Sequence, residues 1–146
     1  MHTLDDVYLA SQPAAADFEQ AAANGIRTIL NLREDGEVTE FDEPALIAKL
    51  RMNYVSLPFK GPGALSDEIL DRARALLRDR EKRPILIHCS SGNRVGAIWF
   101  AHRSLDAGLS WEAALEEART VGLKTPALEA RVKAYCERAR VGAGGP

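Results

Sequence analysis

The chain alternates short apolar runs with longer stretches of helical period, a pattern that predicts βαβ units and a largely parallel sheet. Four runs read as strands: "VYLA" from Val7, "IRTILNL" from Ile26, "NYVSLP" from Asn53 and "PILIH" ending at His88. Each is short, rich in aliphatic or β-branched residues and bounded by turn formers. Between them, Pro13 opens an alanine-rich helix that Gly25 stops, and Pro44 suits the first turn of "PALIAKLR". Ser66 caps "DEILDRARALLRDR", whose acids come first and arginines last, as the helix dipole favours. "RVGAIWFAHRSLDAG" is periodic enough for a helix ending at Gly108, Ser110 caps "WEAALEEARTV" up to Gly122, and Thr125-Pro126 opens a last helix to about Ala139. The expected fold is α/β, a mainly parallel sheet of four to five strands flanked by helices, in one domain over residues 1–140 with 141–146 a flexible tail.

Composition narrows the function classes. With 146 residues the chain is long enough to bury roughly two-thirds of its unfolded surface. Its 46% hydrophobic and 27% charged residues balance to a formal charge of -2, which leaves no basic footprint for nucleic acid or an acidic membrane. Neither is an expected partner. The start, "MHTLDDVYLASQP", has no basic region leading into an apolar one, and no apolar run approaches the roughly 18 residues of a membrane span, so the expected location is cytoplasmic. Cys89 and Cys136 are too few for a disulfide framework, and with His2, His88 and His102 they show no paired metal-ligand spacing. No metal or other cofactor is expected. The oligomeric state stays open, because apolar positions on the last two helices suit either the sheet or a dimer contact.

Chemistry concentrates in "ILIHCSSGNRVGA", Ile85 to Ala97, where a strand hands over to a helix at Cys89. Ser90, Ser91, Gly92 and Asn93 are small or polar enough for successive backbone N–H groups to curl inward as an anion-binding nest at the helix N-terminus. That setting favours the ionised sulfur over the thiol. Arg94, in the first helical turn, offers a planar fork of donors to an oxyanion, and a cation there is unfavourable unless an anion faces it. The segment reads as a nucleophile inside an anion cradle. Cys136, on a helix, reads as a half-buried packing residue, while Trp99, Phe100 and His102 read as core or surface.

The His88-Cys89 pair, Gly92, Arg94 and Gly96 resemble the signature loop of the protein tyrosine and dual-specificity phosphatase superfamily. With "SQP" at 11–13 and "NLRED" at 31–35, the chain more closely resembles the phosphatase-like domain associated with bacterial beta-lactamase-hydrolase-like proteins, from residue 7 to about 122. The resemblance implies a dual-specificity-phosphatase-like fold, with Cys89 the covalent nucleophile, Arg94 the phosphate binder and His88 tuning the sulfur. Ser90, Ser91, Gly92, Asn93 and Val95 fall at the substrate-binding positions of that loop.

Three departures carry chemical consequences. Only four residues separate Cys89 from Arg94, where the phosphatase signature has five and rhodanese-type sulfurtransferases have this shorter loop. Val95 stands where a Ser or Thr usually assists the leaving sulfur. The loop after the third strand, "FKGPGALS", has no carboxylate in the place of the usual aspartic acid, which leaves the acidic stretch 33–43 as the source of a proton donor, with Asp35 the nominee. The leading expectation is hydrolysis of phosphate monoesters, aryl phosphates above all, through a covalent Cys89 intermediate. The alternative is sulfur transfer with a persulfide on Cys89, taken from a sulfane-sulfur donor, and a lesser one is a non-catalytic anion-binding module.

Overall fold

The central strand β5 (Ile85–His88) lies between β2 (Val7–Ala10) and β3 (Thr28–Asn31) and pairs in parallel with both. Beyond β3, β4 (Asn53–Ser56) continues the sheet in parallel, while β1 (His2–Leu4) adds an antiparallel edge to β2, giving the order β1-β2-β5-β3-β4. The computed structural model describes residues 1–37 and 40–143, with side chains to residue 140. The expected α/β fold is what is found, with five strands. β1 went unseen in the sequence because "HTL" is three residues long and exposed throughout, so it has no buried face to leave an alternation.

Strand alternation divides the interior in two. Ile85, Ile87 and Cys89 face one side, packed with Val7, Leu9 and Leu30 under α3 (Asp67–Arg78), α4 (Asn93–Ala101), α5 (Trp111–Val121) and α6 (Pro126–Ala143). Leu86 faces the other with Ile29 and Ala10, covered by Phe18 of α1 (Ala15–Ala23) and Ile47 of α2 (Glu43–Lys49). His88 follows Leu86 onto that second side, its ring 5.6 Å from Phe18, so neighbouring residues of one strand look into different halves of the protein.

The expected caps form: Ser66 Oγ accepts from Ile69 N–H at 3.1 Å and Ser110 Oγ from Ala113 N–H at 3.2 Å. α2 is capped by Asp42, whose carboxylate accepts from Ala45 N–H at 3.1 Å, with Pro44 in the first turn. α4 loosens into wider turns over His102–Asp106, and Asp106 there takes two bonds from Arg74 of α3, at 2.7 and 3.1 Å. Arg74 also donates to Tyr135 of α6 at 2.8 Å, so one guanidinium fastens three helices. Cys136 is wholly buried rather than half-buried, and burial pushes its thiol up despite the Ser104 hydroxyl beside it. α6 extends past the expected end near Ala139 to Ala143, which takes 141–143 out of the expected tail; 144–146 lie outside the described residues. No helix among the described residues is long and apolar enough to cross a membrane.

Two close approaches fix α4 against the turn between α5 and α6. A Cβ on Gly96 would lie 2.7 Å from the Leu123 nitrogen and 2.8 Å from the Ala118 oxygen. Both atoms are backbone, so neither can swing away. Gly96→Ala is therefore expected to lower unfolding free energy by about 1–3 kcal/mol, read from urea denaturation at constant m-value.

Candidate active site

Ala10, His88 and Asn31 sit level at the carboxyl ends of β2, β5 and β3, where ligands of open α/β sheets bind. The chain segments leaving these ends are stitched together at once: Leu32 N–H donates to His88 O at 3.1 Å, and Gln12 N–H donates to Ser90 O at 3.2 Å. Cys89, the first residue past β5, is wholly shielded on the α4 side.

From Cys89 the chain curls rather than extends. Gly92 N–H donates to Cys89 Sγ at 3.1 Å, closing a small ring at the start of α4. Gly92 achieves this at φ 93°, in the left-handed region, and an added Cβ would meet the Val121 carbonyl at 2.6 Å. Glycine is thus required twice over, by conformation and by space. Asn93 staples the curl from behind: its amide donates to Thr125 Oγ1 at 2.7 Å and its Oδ1 accepts from Lys124 N–H at 2.8 Å. The sequence had given this side chain no such role, since its partners lie far along the chain.

Arg94 is 8% exposed, and its guanidinium is held end-on. Nη2 donates to Glu37 Oε1 at 2.7 Å, and Nη1 donates to Glu37 Oε2 at 2.8 Å and to Phe59 O at 3.3 Å. Among the described residues no oxygen accepts from the Nε–H or the second Nη2–H, which form the parallel edge of the fork, and the Cys89 sulfur lies beside the guanidinium. Glu37 holds the guanidinium above its usual range, and the Cys89 sulfur adds to that. The first-turn cation does face an anion, as its position demanded; in this structure the anion comes from the protein itself.

Asp35, the nominated proton donor, is exposed, and it is Glu37 that reaches the arginine. The reason is a turn: Glu37 N–H donates to Glu34 O at 3.2 Å and Glu34 N–H donates to Glu37 Oε2 at 2.6 Å, which folds Glu37 inward and leaves Asp35 at the apex. Ser90 and Ser91 are exposed at the rim, whereas Val95 is wholly buried in the core and presents no side chain to a ligand. Its helix position, facing the sheet, decides that.

On the opposite side of the sheet, His88 Nε2 lies 2.7 Å from Glu43 Oε2, and both side chains are buried. Glu43 accepts further bonds from Tyr54 OH and Gln12 Nε2, each at 2.9 Å, and Asn31 donates to Tyr54 at 2.8 Å. Gln12 in turn accepts from Arg33. Burial works against the Glu43 carboxylate, but the His88, Gln12 and Tyr54 bonds outweigh it and hold the group below its ordinary value. Burial, with Glu43 adding, pushes the Tyr54 hydroxyl up. Glu43, Tyr54 and Glu37 were not singled out in the sequence. Glu37 and Glu43 were signalled only as members of the acidic stretch 33–43, and polar residues of "SQP" and "NLRED" prove to be partners of all three.

The family model "Beta-lactamase hydrolase-like protein, phosphatase-like domain" matches residues 2–106. The chain belongs to that family. A beta-lactamase hydrolase-like protein of Agrobacterium fabrum is 29% identical over 102 residues, a stretch covering 67% of this chain and 23% of that protein. Among solved structures, the active form of Tk-PTP matches with a TM-score of 0.77 at 27% identity, covering 90% of this chain and 92% of that one. TpbA of P. aeruginosa matches with a TM-score of 0.70 at 25% identity, over 94% and 82%. A structure of TpbA in complex with pTyr, 21% identical to this chain, shares its fold. The fold is that of protein tyrosine and dual-specificity phosphatase-like phosphatases.

The Glu37 bridge makes a measurable contribution with a defined pH window. Arg94 holds the Glu37 carboxyl down at about 2, against an ordinary value of 4.5. Because the folded value is the lower one, this stability is intact above the ordinary value and is lost as the pH falls through the folded one. Glu37→Gln is expected to melt below wild type at neutral pH, with the difference shrinking from about pH 4.5 and gone near pH 2, as thermal melts across that range would record.

Proposed function

We propose that this domain hydrolyses phosphate monoesters, with Cys89 attacking phosphorus, the ester oxygen departing, and water cleaving the phosphocysteine. The observation that carries the reading is the curl of residues 89–94, which brings an amide donor onto Sγ and the Arg94 fork beside it. The Nε and remaining Nη2 donors, beside the Cys89 sulfur, suit two oxygens of a transferring phosphoryl group, while Glu37 and Phe59 O keep the fork from rotating. First-turn amides of α4 add donors that no helical carbonyl claims. Membership of a phosphatase-like family, and the pTyr held by TpbA on the same fold, support an anionic ester as substrate.

In this reading Cys89 is the nucleophile, Arg94 binds the phosphoryl group, His88 acts on the sulfur from behind, and Ser90 to Asn93 supply backbone donors. Cys89 is 0% exposed, so in this reading an ester gains the sulfur as the Arg94–Glu37 contact beside it yields. No carboxylate stands in the 57–66 loop, so the leaving group departs with little protonation and its own acidity matters. Aryl phosphates are expected to exceed alkyl phosphates in kcat/KM by about a hundredfold to ten-thousandfold.

Cys89→Ser is expected to abolish hydrolysis of an aryl phosphate, and Arg94→Lys to reduce it about a hundredfold to a thousandfold, since lysine keeps the charge but loses the fork. The four-residue spacing between Cys89 and Arg94 favours one other reading, persulfide transfer. Parallel assays with an aryl phosphate and with thiosulfate plus cyanide separate the two. Turnover of the aryl phosphate dependent on Cys89 supports hydrolysis; an inert phosphate with a sulfur adduct on Cys89 by mass spectrometry overturns it.

A further inference from the structure

The buried pair behind the nucleophile carries a role for a residue outside the cradle. Glu43 Oε2 lies 2.7 Å from His88 Nε2, at the short end of the range for a charge-assisted N–H···O bond. The carboxylate's other donors, Gln12 and Tyr54, are neutral. An ionised carboxylate only accepts, so Nε2 must carry a hydrogen; the tautomer with its hydrogen on Nδ1 alone would set two acceptors face to face. His88 Nδ1 is buried without a hydrogen-bond partner. Left unpaired, that nitrogen costs more as the N–H of a charged ring than as a neutral acceptor, a penalty that the charge balance has to exceed. A neutral ring would leave Glu43 as an uncompensated buried anion, whereas the doubly protonated ring neutralises it within one hydrogen bond.

We propose that Glu43 is a positioning residue for the Cys89 nucleophile: it keeps the buried His88 ring doubly protonated, so that a cation stands directly behind the sulfur. The proposal rests on the reading of Cys89 as nucleophile. Strand alternation puts ring and sulfur on opposite sides of the sheet one residue apart, so the imidazolium acts on the sulfur by its field and never meets the substrate. Of the groups around the ring, Glu43 comes from α2, Tyr54 from β4, Gln12 from the segment after β2 and Phe18 from α1, with Arg33 one bond beyond Gln12. Among the described residues Glu43 is the carboxylate that bonds the ring, while Asp35 acts on Tyr54 from farther out. The arrangement also accounts for residues the cradle leaves unexplained: Gln12 bonds Glu43 through its side chain and the Ser90 carbonyl through its backbone, tying the acid to the loop.

Two measurements test this on the full chain. Nitrogen chemical shifts of the His88 ring, recorded at neutral pH on wild-type protein, are expected to show both nitrogens protonated; a neutral ring overturns the proposal without need of any variant. The second is the ultraviolet thiolate absorbance of Cys89, titrated against the Cys89→Ser protein as blank. Glu43→Gln keeps the shape and removes the charge, and is expected to raise the titration midpoint by about one pH unit, a tenfold loss of thiolate below it. Tyr54→Phe removes a bond to the same carboxylate but no charge, and is expected to leave the midpoint unmoved. A midpoint unchanged or lowered in Glu43→Gln, or raised equally by Tyr54→Phe, overturns the proposal. Failure of the phosphatase reading shows separately, as wild-type protein inert toward aryl phosphate with both His88 nitrogens still protonated.

Discussion

The amide of Gly92 turns back onto the sulfur of Cys89, and the rest of the site is arranged around that contact. A hydrogen bond from a backbone N–H to sulfur is weak by itself, and the loop that makes it contains a residue in the left-handed region. Other parts of the fold hold it in place. β5 is paired on both sides, which fixes where Cys89 begins; α4 is wedged against the α5–α6 turn, which fixes where Arg94 begins. Between two fixed ends only a tight curl fits.

Charge is placed around this curl in two separate pairs. On the open side Glu37 meets Arg94, within reach of solvent and on a polar turn. On the closed side Glu43 meets His88, sealed under α2 and bonded on every face that has a donor to offer. The first pair is the looser one: beyond each other its members have the Phe59 carbonyl, the Glu34 amide and Arg33, all on or beside a polar turn. The second is locked, since breaking it would strand charge in the interior.

Much of this fold could be read from the chain. The four parallel strands announce themselves as short runs rich in aliphatic or β-branched residues, and Ser66, Ser110, Gly25 and Gly122 mark helix ends by local chemistry alone. Cys89, Gly92 and Arg94 are legible for the same reason, being neighbours in sequence with a shared local geometry. What stayed hidden depends on contacts across the chain. Glu37 and Asp35 are equivalent in composition, and only a turn closed by Glu34 decides which one faces inward. Glu43 looks like any acid at the start of a helix until β5 brings His88 against it. Val95 shows the converse, a residue adjacent to the signature whose helical direction sends it into the core.

The staple through Asn93 ties the signature loop to a part of the chain beyond the family-model match. The family model ends at residue 106, yet Thr125, Lys124 and the Val121 carbonyl, all beyond that point, form the rear wall on which residues 92 and 93 rest. The stretch that carries the signature therefore leans on residues outside the match. The last two helices are a buttress, and variation in their connecting turn would be felt at the sulfur without any change in the motif.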